Sequence, residues 1–255
     1  MIDMASLQIT SQKLDLKMTD GICDSFTAHP SDGKLYPGAL LLMDAYGPRN
    51  YLYEMAEKLA SHGYFVLLPN LFYRTKRAPI LDLKFPLRPE KVPEARNQII
   101  PLARAYKLEW GLQDTGIFLK FLAEQKTVRN GPFGLTGYCM GGSLAIRTAA
   151  QYPDQVSAVA SFHAGNLATE TSESPHLLLP KIKAELYVAH ADQDPSMPSE
   201  QIERFHKALK ESHPHSHDEV YLGAAHGFTM ADLPAYNQQA LSRHWTKLLE
   251  LFSRS

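Results

Sequence analysis

Charge of one sign is what this sequence most plainly lacks. Its 255 residues carry 26 Lys and Arg against 27 Asp and Glu, a formal net charge of −1. A balance of that kind recruits neither nucleic acid nor an anionic membrane surface. Cysteine is scarce: Cys23 and Cys139 cannot staple a chain this long, and a reduced, intracellular setting is the simpler reading. No stretch approaches the roughly 18 apolar residues of a membrane span. Met1 to Leu7 has neither the basic nor the apolar region of an export signal, so the chain reads as soluble and cytoplasmic. Glycine-rich phosphate loops and Cys/His clusters at zinc spacing are missing too, so neither cofactor nor metal is expected. What the chain does have is apolar mass. At 44% hydrophobic and 21% charged residues it is not disordered, and its length admits one α/β domain or two small ones.

Apolar residues come in short, turn-bounded runs. Ala39 to Met43 reads as a strand buried on both faces, Tyr51 to His62 as an amphipathic helix ending at Gly63, and Tyr64 to Leu68 as a second strand stopped by Pro69. Strand, helix, strand with short connections is a parallel crossover unit. The pattern resumes with strands at Phe133 to Tyr138, Val156 to Phe162, Ala184 to Ala189 and Glu219 to Leu222. Helices are read at Gly142 to Tyr152, Ser199 to Leu209 and about Ala235 to Phe252. Such alternation predicts an α/β fold with a mostly parallel sheet. Between the two halves, Arg74 to Pro101 holds Pro79, Pro86, Pro89, Pro93 and Pro101 without clean periodicity, and a long helix is read from about Leu102 to Gln125. This excursion reads either as a lid-like insertion of about 74–101 in a single 1–255 domain or as a bland surface loop.

One stretch carries chemistry. Gly137-Tyr138-Cys139-Met140-Gly141-Gly142 has the form Gly-x-nucleophile-x-Gly between a strand and a helix. The turn is tight enough to exclude bulk two residues either side of its apex, and it thrusts the apex side chain over the helix N-terminus. Backbone N–H groups there favour an anionic sulfur and a developing oxyanion. A nucleophile of this kind needs an acid and then a histidine downstream. His190-Ala191-Asp192-Gln193-Asp194 follows one strand, with Asp194 preferred over Asp192. Gly223-Ala224-Ala225-His226-Gly227 follows the last strand. Each gap leaves room for one or two strand–helix units, so Cys139, Asp194 and His226 can meet at one sheet edge. By contrast Cys23, near an early polar turn, reads as a small apolar residue. His213-Pro214-His215-Ser216-His217 reads as a solvated loop.

On these residues the chain resembles the dienelactone hydrolase family of α/β-hydrolases over nearly its whole length. Met43-Asp44-Ala45-Tyr46-Gly47 and Pro69-Asn70-Leu71-Phe72-Tyr73-Arg74 are further carriers. The resemblance implies that Cys139 attacks an ester or lactone carbonyl, with His226 as base and acid and Asp194 holding the His226 tautomer. It implies an oxyanion hole from the backbone N–H groups of Met140 and Ala45, and Arg74 as a clamp on a substrate carboxylate. Apart from the resemblance, Tyr46, Tyr73 and Tyr138 neighbour the site and read either as pocket lining or as packing. Two positions depart from the family pattern. Asp44 stands where such members carry a Glu that modulates the nucleophile, and Met230 stands where they carry a second clamping Arg. The implied partner is a small-molecule ester or lactone, and a monomer or homodimer both remain open. A broad carboxylesterase or thioesterase on the same residues is the alternative enzyme. A ligand-binding or redox-sensing protein on this scaffold is the alternative from another class.

Overall fold

The apolar runs become the centre of one eight-stranded sheet. The computed structural model describes residues 7–255, so residues 1–6, on which the leader reading mostly rests, lie outside the described residues. Strands β1 (Ile9–Met18), β2 (Gly21–Pro30), β3 (Gly38–Leu42), β4 (Phe65–Pro69), β5 (Phe133–Tyr138), β6 (Val156–Phe162), β7 (Glu185–Gln193) and β8 (His217–Ala225) lie in the order β1-β2-β4-β3-β5-β6-β7-β8. From β4 to β8 every neighbour is parallel, whereas β1–β2 and β2–β4 are antiparallel. Every residue of β3, β4 and β5 is buried, which explains runs without alternation in a sheet covered on both faces.

The helices are α1 (Asn50–Ser61), α2 (Val92–Ala105), α3 (Leu108–Ala123), α4 (Met140–Gln151), α5 (Ser199–Ser212) and α6 (Gln238–Phe252). One face carries α1 and α6, joined where Lys58 lies over the Trp245 ring; the other carries α3 and α4, joined by Thr148 bonded to Thr115. Strand β3 is followed in sequence by β4 on one side and in space by β5 on the other. The direction of winding therefore reverses at β3/β5, the place where α/β sheets open a crevice at the C-terminal strand ends.

Two expectations need correction. The first is the long helix from Leu102, which is instead two. Helix α2 begins inside the proline-rich excursion, with Pro93 in its first turn, and ends where Tyr106 turns extended (φ −70, ψ 125). The break lets the Tyr106 ring pack edge-on to Phe72 and against Gly111, where a Cβ would overlap its hydroxyl. The second is the omission of the β1–β2 hairpin, since β1 packs only Ile9, Leu14, Leu16 and Met18 against the core and is otherwise exposed. Cys23 lies within β2, just past the Thr19–Asp20 turn, and is packed as the small apolar residue the sequence suggests. It is fully buried beside Ser25 and Asn70, and burial pushes its thiol up to about 12.

Candidate active site

The turn from β5 into α4 is built for a strained apex. Cys139 has φ 55 and ψ −119, a backbone that L-residues adopt at a cost of roughly 1–3 kcal/mol. Glycine is required on both sides. A Cβ on Gly137 would overlap the Gly141 carbonyl, and one on Gly141 would overlap the carbonyls of Leu42 and Met43 at the end of β3. The apex is pinned by the Cys139 N–H donating to the Phe162 carbonyl at 3.0 Å and by Gly142 N–H donating to the Cys139 carbonyl at 3.1 Å. Its side chain is half-buried and reaches the crevice at β3/β5.

The loop after β8 turns at Gly227 (φ 95) and carries His226 over that crevice. His226 Nε2 lies 3.0 Å from Cys139 Sγ, and Nδ1 lies 2.6 Å from Asp194 Oδ2. Burial opposes the imidazolium, but the hydrogen bonds to Asp194 and Cys139 outweigh it and push the His226 pKa up to about 10. Asp194 sits in the loop after β7. Burial alone would raise its carboxyl, yet bonds from His226 and from Ser196 N–H and Oγ hold it below the usual carboxylate range. Asp192 accepts the Gly223 N–H at 2.9 Å and so fastens the β8 end without reaching His226. The N–H groups of Met140 and Ala45 make no backbone hydrogen bond among the described residues.

Cys139, His226 and Asp194 line a cavity of about 640 Å³ with Asp44, Ala45, Tyr46, Arg96 and His163. Asp44 is engaged elsewhere than at the thiol. Its Oδ1 accepts Arg49 Nη1 at 2.7 Å and the Tyr46 N–H at 2.9 Å, and its Oδ2 accepts Arg49 Nη2 at 2.9 Å. Two expected contact residues are not brought to the cavity. Tyr138 is fully buried and donates or accepts at His244 Nε2, 2.9 Å away, because strand alternation sends it towards α6. Arg74 is taken by Asp114, a carboxylate buried in α3, at 2.5 and 3.0 Å, and by Asp20 at 2.9 and 3.1 Å. Met230 is fully buried. In consequence Arg74→Ala is expected to act on stability. It leaves Asp114 buried without its cation, at a cost of about 3–5 kcal/mol, and shifts KM equally for neutral and anionic esters. Urea unfolding and paired KM measurements check both halves; a selective rise for the anionic ester would return Arg74 to the substrate.

Three residues escaped sequence reasoning. Arg96 stands with Val92 and Ile99 at helical spacing on the α2 face that lines the cavity, and it has no ion-pair partner among the described residues. A clean helical period in the proline-rich segment would have been its only signal. His163 and Arg49 follow from packing and carry no sequence motif.

Comparison with known proteins agrees with this architecture. The family model described as "Dienelactone hydrolase family" matches residues 23–255. A protein of Synechocystis named "Putative carboxymethylenebutenolidase" is 25% identical over 254 residues, covering 98% of this chain and 97% of its own. Among solved structures, a Klebsiella pneumoniae protein described as a "Putative Dienelactone Hydrolase" superposes with a TM-score of 0.83 at 18% identity, over 97% of this chain and 100% of that one. A dienelactone hydrolase-like promiscuous phosphotriesterase from metagenomic libraries reaches 0.73 at 21% identity, over 96% and 98%. These two likenesses speak for the α/β-hydrolase fold. With the family model spanning all but the first strand and the start of the second, the chain belongs to the dienelactone hydrolase family.

Proposed function

We propose that the protein hydrolyses a carboxylic ester or lactone through a thioester on Cys139, with His226 as proton carrier and Asp194 as its orienting carboxylate. The observation that carries this reading is the unbroken line from Cys139 Sγ to His226 Nε2 at 3.0 Å and from His226 Nδ1 to Asp194 Oδ2 at 2.6 Å, opening into the cavity. The proton of the Sγ–Nε2 contact rests on His226 as Sγ bonds to the carbonyl carbon. The oxyanion meets the unused N–H groups of Met140 and Ala45, a contribution worth on the order of 10²–10³ in rate per donor. Collapse breaks the ester C–O bond, and His226 returns the proton to the leaving oxygen. Water then attacks the thioester, His226 takes its proton, and the thiol is restored with release of the acid.

The names of the curated relatives support a lactone substrate. The engagement of Arg74 by Asp114 and Asp20, and the burial of Met230, favour a wider range of esters. Arg96 lines the cavity with no ion-pair partner among the described residues. We read the chain as one domain in which the α2 part of the inserted segment walls the cavity, acting in a reducing cell interior, as two free cysteines suit.

The reading has a pH signature. Because the His226 pKa is raised, the imidazolium that protonates the leaving oxygen is retained well above neutrality, and kcat/KM is expected to fall only as pH passes about 10. Mass spectrometry of the enzyme quenched during turnover of a slow ester should find the acyl group on the Cys139 peptide. A neutral-range alkaline limb with no acylated Cys139 would refute the mechanism.

A further inference from the structure

His163 is an expensive residue where it stands. It follows β6 with φ 42, a left-handed backbone that a branched or bulky side chain resists. Its ring is 1% exposed, and Nδ1 has no hydrogen-bond partner, a buried polar atom that protein interiors seldom leave unmatched. Rings surround it, with Phe228 edge-on at 5.0 Å and Tyr138 at 6.1 Å, so a phenylalanine would fill the site at no polar cost. The one atom that distinguishes histidine here is Nε2, and it lies 2.7 Å from Thr229 Oγ1.

That bond joins two parts of the site. The residue before His163 is Phe162, whose carbonyl accepts the Cys139 N–H. Thr229 lies in the turn that carries His226, a turn closed by Phe228 N–H on the Ala225 carbonyl and Met230 N–H on the Gly227 carbonyl. The His163 ring also packs edge-on against the His226 ring at 5.3 Å and 65°. Nucleophile turn and histidine loop are therefore linked through a single side chain.

We propose that His163 is a positioning residue: its hydrogen bond to Thr229 and its edge-on contact with His226 hold the histidine loop against the Cys139 turn and so set the Cys139–His226 distance. This rests on the reading of Cys139 and His226 as nucleophile and base. The ionisable groups facing the two rings are Cys139, Asp194, Tyr138 and His244, with Asp44, Tyr46 and Arg96 across the cavity. Burial, and then the like charge of His226, hold His163 far below the ordinary histidine range. It therefore stays uncharged while its neighbour carries the proton.

The test uses His163→Phe, which keeps a ring but loses the bond, and Thr229→Val, which removes the same bond from the other side. Displacing a reacting group by about 1 Å costs roughly 10²-fold. Both variants are expected to lose 10- to 100-fold in kcat with KM within about twofold, and to bring the alkaline limb of kcat/KM down towards the ordinary histidine range. Iodoacetamide alkylation of Cys139 against pH reads the same pair without substrate and should shift in the same direction. Cooperative urea unfolding at a midpoint near the wild type's keeps the losses from being lost fold. Wild-type kcat and pH profiles in both folded variants would overturn the proposal, as would a loss confined to His163→Phe. If Cys139→Ala hydrolyses ester as fast as the wild type, the catalytic reading fails by itself. The alkylation profiles still decide whether His163 positions His226.

Discussion

Cys139→Ala is expected to lower kcat/KM for a p-nitrophenyl ester by on the order of 10⁴–10⁶, or about 5–8 kcal/mol of transition-state stabilisation. A loss that large follows from geometry in which no other thiol or hydroxyl among the described residues bonds His226; the Ser196 hydroxyl that also lines the cavity donates to Asp194 instead. Sγ is the atom that meets His226 Nε2 at 3.0 Å, and the other cysteine is fully buried in β2 with its thiol pushed up to about 12. Alanine fits the φ 55 backbone no worse than cysteine does, so urea unfolding should barely change. Cys139→Ser should fall between the two. It keeps a nucleophile in place, but the shorter C–O bond lengthens the contact to His226, and a hydroxyl yields its proton less readily than a thiol. Initial rates over several enzyme concentrations, with iodoacetamide-blocked wild type as a control, measure both. Equal rates for Cys139→Ala and wild type would remove catalysis from this residue. The ligand-binding alternative would then stand.

Why the Cys139–His226–Asp194 line could be read from the chain, and the residues around it could not, is a matter of range. The β5–α4 turn is local. Gly137 and Gly141 are demanded by carbonyls of the turn itself and of β3, and the motif's spacing records that demand. Strand ends are local too, so Asp194 and His226 could be placed at one edge once β7 and β8 were recognised. The first strand was invisible because its exposed positions are polar and its inward ones are few, which leaves no apolar run to find. The α2 helix was hidden by its prolines. Pro93 is harmless in a first turn, where no N–H is needed, but Pro101 lies inside the helix, and proline there argues against helix in any local reading. Arg74 and Tyr138 failed for a different reason. Their positions were right, but each side chain answers to a partner distant in sequence, Asp114 on α3 and His244 on α6. No periodicity announces such a pairing. A buried carboxylate in α3 decided the fate of an arginine in the loop after β4.

The same reasoning, applied to Arg49, gives a second large stability effect. Its guanidinium is buried between the rings of Tyr46 and Phe85, 5.6 and 5.3 Å from their centroids. It donates to Asp44 at 2.7 and 2.9 Å, to Asp232 at 2.6 and 3.1 Å, and to the Gly47 carbonyl at 3.1 Å. Burial works against its charge, but the two carboxylates more than offset that and raise its pKa above the ordinary arginine value. The two segments it hydrogen-bonds wall the cavity. Asp44 precedes Ala45 in the turn after β3, Asp232 precedes the Leu233–Ala235 wall, and the Asp232 carbonyl accepts Leu87 N–H from the inserted segment. Arg49→Ala strands two buried carboxylates and is expected to cost about 3–5 kcal/mol or more, seen as a lower urea midpoint with little change in slope. Arg49→Lys should recover only a minor part, since an ammonium cannot serve both carboxylates in the forked geometry of a guanidinium. Neutralising the whole group in Asp44→Asn/Arg49→Met/Asp232→Asn removes the stranded charge and should restore most of the stability, because well-packed neutral residues often match a buried ion network. Activity should not return with it. Asn keeps an acceptor for the Tyr46 N–H, but the turn that aims the Ala45 N–H is no longer tied to the opposite wall, and kcat should stay about 10- to 100-fold down. A triple variant with restored stability and full kcat would reduce Arg49 to a purely structural residue, and an Arg49→Ala protein as stable as wild type would deny it even that.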